Sequence, residues 1–299
     1  MQYAWQAHNP ATGSYGSNST WHSRFRSVQR RSLWISAQHS PPNLPADQWL
    51  GEPIGVQTLR RMTVLGPESR GRIDPHLGPV TLKLGAVVCE AGGLLKHAYF
   101  PQGAVLSLLT VLEKGSAIET ANIGREGAFG LFAAMYSRVS FNRCIVQLEG
   151  RMVRCPIEPL QFGIKNSEHV RNLFVSYSET LLSQVQQTVA CNTVHTTEER
   201  MCRWLLMMND RAEGELLTYT HEFLANILGA NRKSVTLAAQ SVQAAGLISY
   251  NRGKIQVLNR PGLEKASCEC YAIVKDRFDE FLKPPETAVQ DTVKRQSRN

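Results

Sequence analysis

At 299 residues, 42% hydrophobic and 19% charged, the chain is long enough for two domains and apolar enough to bury a sizeable core. Its longest apolar runs, such as Phe129 to Tyr136, fall well short of the roughly 20 residues a membrane-spanning helix needs, and no signal-peptide h-region opens it. Seven cysteines without a Cys-x-x-Cys pair suit reduced thiols better than a secreted disulfide framework, so a cytoplasmic protein is expected, and the net charge of +8 invites an anionic partner.

The first fifty residues hold eight serines, Pro10, Pro41, Pro42 and Pro45, and the four arginines Arg24, Arg26, Arg30 and Arg31 against one acid, Asp47. No hydrophobic period runs through them, so residues 1–61 are expected to form a disordered leader. An Arg- and Ser-rich, acid-poor leader also has the composition of an organelle transit peptide, and Met62 offers an alternative translation start.

From about Gly71 the chain reads as short strands. Val80–Leu84, Ala86–Cys89, His97–Phe100, Val105–Leu112, Ile118–Ala121 and Cys144–Leu148 are β-rich runs separated by glycines, and their regular spacing predicts a barrel or roll. Glu113-Lys114-Gly115-Ser116 reads as a hairpin tip.

After Glu168 the period becomes helical. Val170, Phe174, Tyr177, Leu181, Val185 and Val189 recur at spacings of three and four, with Ser178, Gln184, Gln187 and Thr188 on the other side. The stripe predicts one long amphipathic helix, packed either in a core or against the same helix of a second subunit through Phe174, Tyr177, Leu181, Val185 and Val189. A break near Asn192 to Thr197 leads to a further helix with Glu198 and Glu199 in its first turn, where acids complement free N–H groups, and with Trp204, Leu205 and Met208 on its buried face. His195 stands before those acids, but no His-Glu-x-x-His pattern is present and no second histidine lies at ligand spacing, so a structural histidine is expected.

Thr220 is placed to cap a helix over His221 to Leu228, which Gly229 ends by taking a left-handed conformation. Asn231 then caps a second helix running to about Ala245 and closed by Gly246. Val235, Ala238, Ala239 and Val242 face inward, leaving Arg232, Lys233, Ser234, Thr236, Leu237 and Gln240 on or beside the outer face of its N-terminal part, the end a recognition helix presents to base edges. Leu247–Tyr250 and Ile255–Leu258 flank Asn251-Arg252-Gly253-Lys254, a tight hairpin that forms a wing with two cations at its tip. Five basic residues between Thr220 and Arg260 against the single acid Glu222 leave a local balance of +4, as phosphate contacts require.

Together these features resemble the CRP/FNR family of bacterial transcription factors, that is, the cyclic-AMP receptor protein and the fumarate-nitrate regulator. The resemblance covers roughly residues 72–283. It is carried by Tyr99-Phe100-Pro101-Gln102-Gly103, by Gly124-Arg125-Glu126-Gly127-Ala128-Phe129-Gly130-Leu131-Phe132, by the helical hairpin from Thr220 to Val235, and by Ala245-Gly246-Leu247-Ile248. It implies an α+β fold: an N-terminal cyclic-nucleotide-binding-like β-roll over 62–165, a long dimerisation helix and hinge over 166–195, and a C-terminal winged helix-turn-helix over 196–283. Residues 284–299 are then a flexible tail. The implied protein is a homodimer that binds double-stranded DNA at a pseudo-palindromic operator, works with RNA polymerase, and is neither an enzyme nor membrane-bound.

Family chemistry transfers only where residues match. On the recognition helix Arg232 stands at the first base-reading arginine, but Lys233 replaces the acid and Leu237 the second arginine, so a different operator is implied. Arg252 and Lys254 are the wing contacts. In the effector pocket, drawn from Gly127, Ala128, Gly130, Leu131, Arg143 and Cys144, Ala128 stands where cyclic-nucleotide binders carry a glutamate for the ribose hydroxyl. Arg143 falls near the phosphate-binding arginine, and Glu126 offers a substitute acid one turn away. Cyclic AMP is therefore not the expected effector, although another small anion is allowed, and no cofactor or metal is assigned. The leader lacks the cysteines that hold an iron–sulfur cluster in oxygen-sensing members, and Cys268 and Cys270 are placed on a C-terminal helix where alternating positions point apart. The alternative is a ligand-binding regulatory module that acts on protein partners without DNA.

Overall fold

The computed structural model describes residues 73–283 except 114 and 213–215. The expected leader over 1–61 and tail over 284–299 lie outside the described residues, as does Lys114 of the predicted hairpin tip.

Seven strands build the N-terminal half: β1 (Gly78–Leu82), β2 (Val87–Cys89), β3 (His97–Pro101), β4 (Val105–Val111), β5 (Ala117–Ile123), β6 (Arg143–Leu148) and β7 (Gly150–Pro156). They pair antiparallel in two sheets, β1-β7-β3 and β2-β6-β4-β5. Strand alternation turns Ala98 and Phe100, Leu106 and Leu108, Ala121 and Ile123, and Cys144 and Val146 into one core shared by the two sheets. This is the expected roll. β7 was not foreseen, because Gly150-Arg151-Met152-Val153-Arg154 mixes arginines with apolar residues; the arginines are its outward positions and Met152 and Val153 are buried. Two short helices were also missed, α1 (Leu131–Met135) after the glycine cassette and α2 (Ile157–Asn166) after β7.

The long helix α3 spans Glu168–Val194, capped by the Ser167 hydroxyl, which accepts from the Val170 N–H. Its faces differ from the simple apolar stripe. Val170, Phe174 and Tyr177 are buried within the chain's own core, and the buried row continues through Gln184, Thr188 and Cys191 rather than through Val185 and Val189. Phe174 and Tyr177 are therefore corrected from partner-facing to inward-facing. Gln184 and Thr188, expected on the solvent side, are held inside by polar partners: Gln184 Nε2 donates to Asn122 Oδ1 at 2.9 Å, and Arg203 Nη2 donates to Thr188 Oγ1 at 3.1 Å. Leu181 and Val185 are half-buried. The exposed apolar row is Val175 (45%), Leu182 (54%) and Val189 (60%), each seven residues from the next.

The C-terminal half carries α4 (Thr197–Arg211), β8 (Leu217–Thr218), α5 (His221–Leu228), α6 (Arg232–Ala244), β9 (Ile248–Asn251), β10 (Lys254–Val257), α7 (Arg260–Ala266) and α8 (Cys270–Leu282). α4 starts at a capping box one residue earlier than foreseen: Thr196 Oγ1 accepts from the Glu199 N–H, and Glu199 accepts from the Thr196 N–H. Among the described residues, no helix is long and apolar enough to cross a membrane.

The two halves interlock. α5 packs on β5, and Tyr219 Oη donates across to the Gln147 carbonyl at 2.8 Å. Arg211 at the end of α4 donates from Nη2 to Glu126 Oε1 of the roll at 2.6 Å, with both side chains nearly buried. Gly124 makes this approach possible, since a Cβ there would lie 2.6 Å from the Arg211 side chain. Burial works against a charged Glu126, but the Arg211 guanidinium and backbone N–H donors outweigh it and hold the carboxyl below its usual value.

Candidate nucleic-acid interface

The helical hairpin forms as its local signals require. Thr220 Oγ1 accepts from the Phe223 N–H at 3.1 Å to start α5, and Gly229 at φ +57 ends it. Asn231 Oδ1 accepts from the Ser234 N–H at 2.8 Å to start α6. Val235, Ala238, Ala239 and Val242 are buried against the rest of the domain. His221 locks the hairpin: its Nδ1 meets Thr236 Oγ1 at 3.0 Å, and its ring packs edge-on to Tyr250 of the wing. Burial and then the Arg232 charge lower its pKa, which favours the uncharged imidazole.

What remains outward on α6 is Arg232, Lys233, Leu237 and Gln240, all exposed, with Ser234 and Thr236 half-buried beside them. Leu237 is 57% exposed, an apolar side chain on the outward face of a helix that starts with two cations. The wing is a three-stranded antiparallel sheet in the order β8-β10-β9, one strand more than the sequence suggested. At its tip Asn251 pairs with Lys254 around Arg252 and Gly253, both at positive φ (49 and 81) as in a type I′ turn. Glycine adopts that region freely; a left-handed arginine is uncommon and costs about 1 kcal/mol, which marks Arg252 as held there for its position. Among the described residues no ion pair within 4 Å engages Arg232, Lys233, Arg252 or Lys254. Arg260, counted with them on sequence, is instead consumed internally by Asp210, Glu264 and the Tyr271 hydroxyl. Four free cations on one helix start and one wing tip form an electropositive surface of the kind that neutralises phosphates.

Most of the expected effector residues are enclosed by the fold. Gly127, Ala128, Gly130, Leu131 and Cys144 are buried. Tyr177 Oη accepts from the Ala128 N–H at 3.0 Å and donates to its carbonyl at 2.9 Å, and a Cβ on Gly127 would lie 2.7 Å from that hydroxyl. The long helix thus closes the glycine cassette. Arg143 is engaged in a partly exposed pair with Glu90, its Nε donating at 2.7 Å, and Glu126 is committed to Arg211. A cleft of about 280 Å³ opens elsewhere, lined by Arg125, Glu126, Asp210, Arg211, Tyr271 and Lys275 among others.

One polar cluster was not visible in the sequence. Glu119 of β5 is buried with Ser107, Asn122 and Gln147 donating to it, and burial pushes its carboxyl up to about 7 against those hydrogen bonds. A second concerns the cysteines, and corrects their expected geometry. Cys268 precedes α8 rather than lying on it, so Cys268 and Cys270 do not diverge; both meet Cys191 and His195 at the end of α3.

The fold is thus a β-roll joined by one long helix to a winged helix-turn-helix whose second helix carries cations on its outward face. Residues 199–266 match the Crp-like helix-turn-helix domain family. Among solved structures, the chain resembles a transcriptional regulator assigned to the CRP/FNR family from Eubacterium rectale, with 21% identity, 69% of this chain and 96% of that one covered, and a TM-score of 0.57. It also resembles FixK2 from Bradyrhizobium japonicum (14% identity, 64% and 98% covered, TM-score 0.56) and a CRP/FNR-family regulator from Thermus thermophilus (22%, 63% and 97%, TM-score 0.52). No curated protein matches at a significant level. The chain has the fold of a CRP/FNR-type DNA-binding transcriptional regulator, with a Crp-like helix-turn-helix domain.

Proposed function

We propose that the protein regulates transcription as a homodimer that binds a pseudo-palindromic operator through paired α6 helices, with the wings on flanking phosphates. The observation that carries this reading is the set of free cations Arg232, Lys233, Arg252 and Lys254 around the outward face of a correctly capped second helix. Arg232 reads a guanine edge bidentately, while Leu237 packs against a thymine methyl. The dimer is supported by the exposed row Val175, Leu182 and Val189, whose sevenfold spacing is that of a coiled-coil seam, with Ser178 and Val185 at the intervening positions. This replaces Phe174 and Tyr177 as seam residues and keeps Val185 and Val189. Two recognition helices on such an axis address half-sites about 10 base pairs apart, centre to centre. RNA polymerase is the further partner that the resemblance implies, and the bacterial cytoplasm is the compartment where all three meet. The reading assigns the protein no catalytic step.

The effector is not cyclic AMP on this reading. Ala128 offers no carboxylate to a ribose hydroxyl, Arg143 is already paired with Glu90, and Tyr177 packs on Gly127 and Ala128. Selection of bound sequences from a random duplex pool, followed by mobility shift on the winning sequence, tests the DNA reading. A symmetric site bound at nanomolar concentration by a dimer is the expected result. Failure to enrich any sequence, together with salt-insensitive binding, would leave the protein-partner module as the better account.

A further inference from the structure

At the junction between α3 and α4, three thiols and an imidazole converge from two distant parts of the chain. Cys191 and His195 are four residues apart, at the last turn and the C-cap of α3, and so share one face. Cys268 and Cys270 bracket the turn into α8. Cys191 Sγ lies 3.6 Å from Cys268 Sγ, Cys270 Sγ lies 3.6 Å from His195 Nδ1, and the four potential ligand atoms all lie within 4.8 Å of one another.

A tetrahedral ion with bonds of about 2.3 Å to sulfur and about 2.0–2.1 Å to nitrogen requires sulfur–sulfur separations of roughly 3.8 Å and sulfur–nitrogen separations of roughly 3.6 Å. The Cys191–Cys268 and Cys270–His195 separations of 3.6 Å match such a shell, and the remaining ones stay within 4.8 Å. A disulfide needs its sulfurs about 2.05 Å apart and would give Cys270 and His195 no reason to attend. A polynuclear iron–sulfur cluster places its thiolates on different irons and spreads them more widely than this group allows.

The surroundings fit an ion as well. His195 Nε2 faces Glu269 Oε2 at 3.1 Å, so the imidazole is backed by a carboxylate on one nitrogen and aims the other at the thiols, the outer-shell arrangement that orients a metal-bound histidine. Gln187 Nε2 donates to Cys270 Sγ at 3.0 Å. Three thiolates and a neutral imidazole around a divalent ion carry one net negative charge. Buried guanidinium nitrogens of Arg200 and Arg203 lack hydrogen-bond partners.

We propose that Cys191, His195, Cys268 and Cys270 form a Cys3His site for one thiophilic divalent cation of the zinc class. Four protein ligands leave no open position, and the three thiols are buried, so the site is structural. It staples the end of α3 to the start of α8 across the hinge at which the long helix passes the chain to the DNA-binding half. Ion binding releases thiol protons to solvent and involves no redox change.

The test uses the full chain, kept reduced and stripped with a chelator, then titrated with Co(II) and afterwards with Zn(II). One cobalt per chain, with the intense visible bands of a tetrahedral site and thiolate-to-metal charge transfer in the near ultraviolet, is expected, and zinc should displace it. Cys268→Ser and Cys270→Ser should each weaken binding at least tenfold, whereas Cys155→Ser and Cys202→Ser should leave it unchanged. Glu269→Gln, which acts only through His195, should weaken it about 10–100-fold with the visible bands retained. Because loss of a ligand can unfold the domain, His195→Cys is the deciding variant: it should keep one tetrahedral ion and raise the charge-transfer intensity by about one-third, the contribution of a fourth thiolate. Reduced, folded protein that gives no thiolate–cobalt spectrum would overturn the proposal. So would stoichiometric binding that survives the double change Cys268→Ser and Cys270→Ser.

Discussion

Arg232 occupies the first turn of α6, next to the Asn231 cap, and is exposed. If it holds a guanine bidentately, Arg232→Ala should cost about 1–3 kcal/mol on the selected operator and relax preference at one base position, measured by competition among single-base variants. Lys254→Ala should instead weaken all sequences alike and lower the slope of log affinity against log salt by about one. A different residue sets the pH dependence. Glu119 has its carboxyl pushed up to about 7, principally by burial, from an ordinary value of 4.5. The folded state therefore keeps a proton that the unfolded chain releases, so this group makes stability fall as pH rises from about 4.5 to about 7, with the cost fully present above that window. Denaturant titrations at pH 5 and pH 8 should show Glu119→Gln losing that part of the decline, on the order of 3 kcal/mol at most. An unaltered difference between the two pH values would contradict the assignment. The caps at Thr220 and Asn231 were legible because their partners lie three residues away; Glu119 was not, because its two closest donors, Ser107 and Gln147, come from β4 and β6.

Among the elements, α3 shows most clearly how periodicity misleads. The apolar stripe from Val170 to Val189 correctly announced one long helix, but hydrophobicity alone could not separate the residues the chain's own core takes from those it leaves exposed. The chain's own core claims Val170, Phe174, Tyr177, Gln184, Thr188 and Cys191, two of them polar and hydrogen-bonded to Asn122 and Arg203, while Val175, Leu182 and Val189 are left outside. The link between α4 and the roll was equally hidden, since Glu126 and Arg211 are 85 residues apart. Removing the carboxylate strands a buried guanidinium, so Glu126→Leu should destabilise the protein by about 3–5 kcal/mol, read by denaturant unfolding. Glu126→Asp, which shortens the reach without removing the charge, should fall between that variant and the unaltered protein.

At the scale of the whole molecule, the roll, the long helix and the winged domain were all legible, because each announces itself by local period and punctuation. The closure of the glycine cassette by Tyr177 and the meeting of Cys191 and His195 with Cys268 and Cys270 were not, since both depend on how distant segments pack. Closure predicts that calorimetry with cyclic AMP on the purified protein gives no micromolar binding; a micromolar isotherm abolished by Arg143→Ala would show the cassette working without its carboxylate. The outer row of α3 predicts that Leu182→Glu with Val189→Glu yields a folded monomer in analytical ultracentrifugation, with at least a hundredfold weaker hold on a two-half-site operator. The central claim, sequence-specific DNA recognition by α6, is met most directly by mobility shift of the unaltered protein and Arg232→Ala on the selected operator and on a duplex with one half-site scrambled. The account predicts tight binding of the intact site by the unaltered protein and a loss of about tenfold or more with either change. Equal affinity across all four combinations would contradict it.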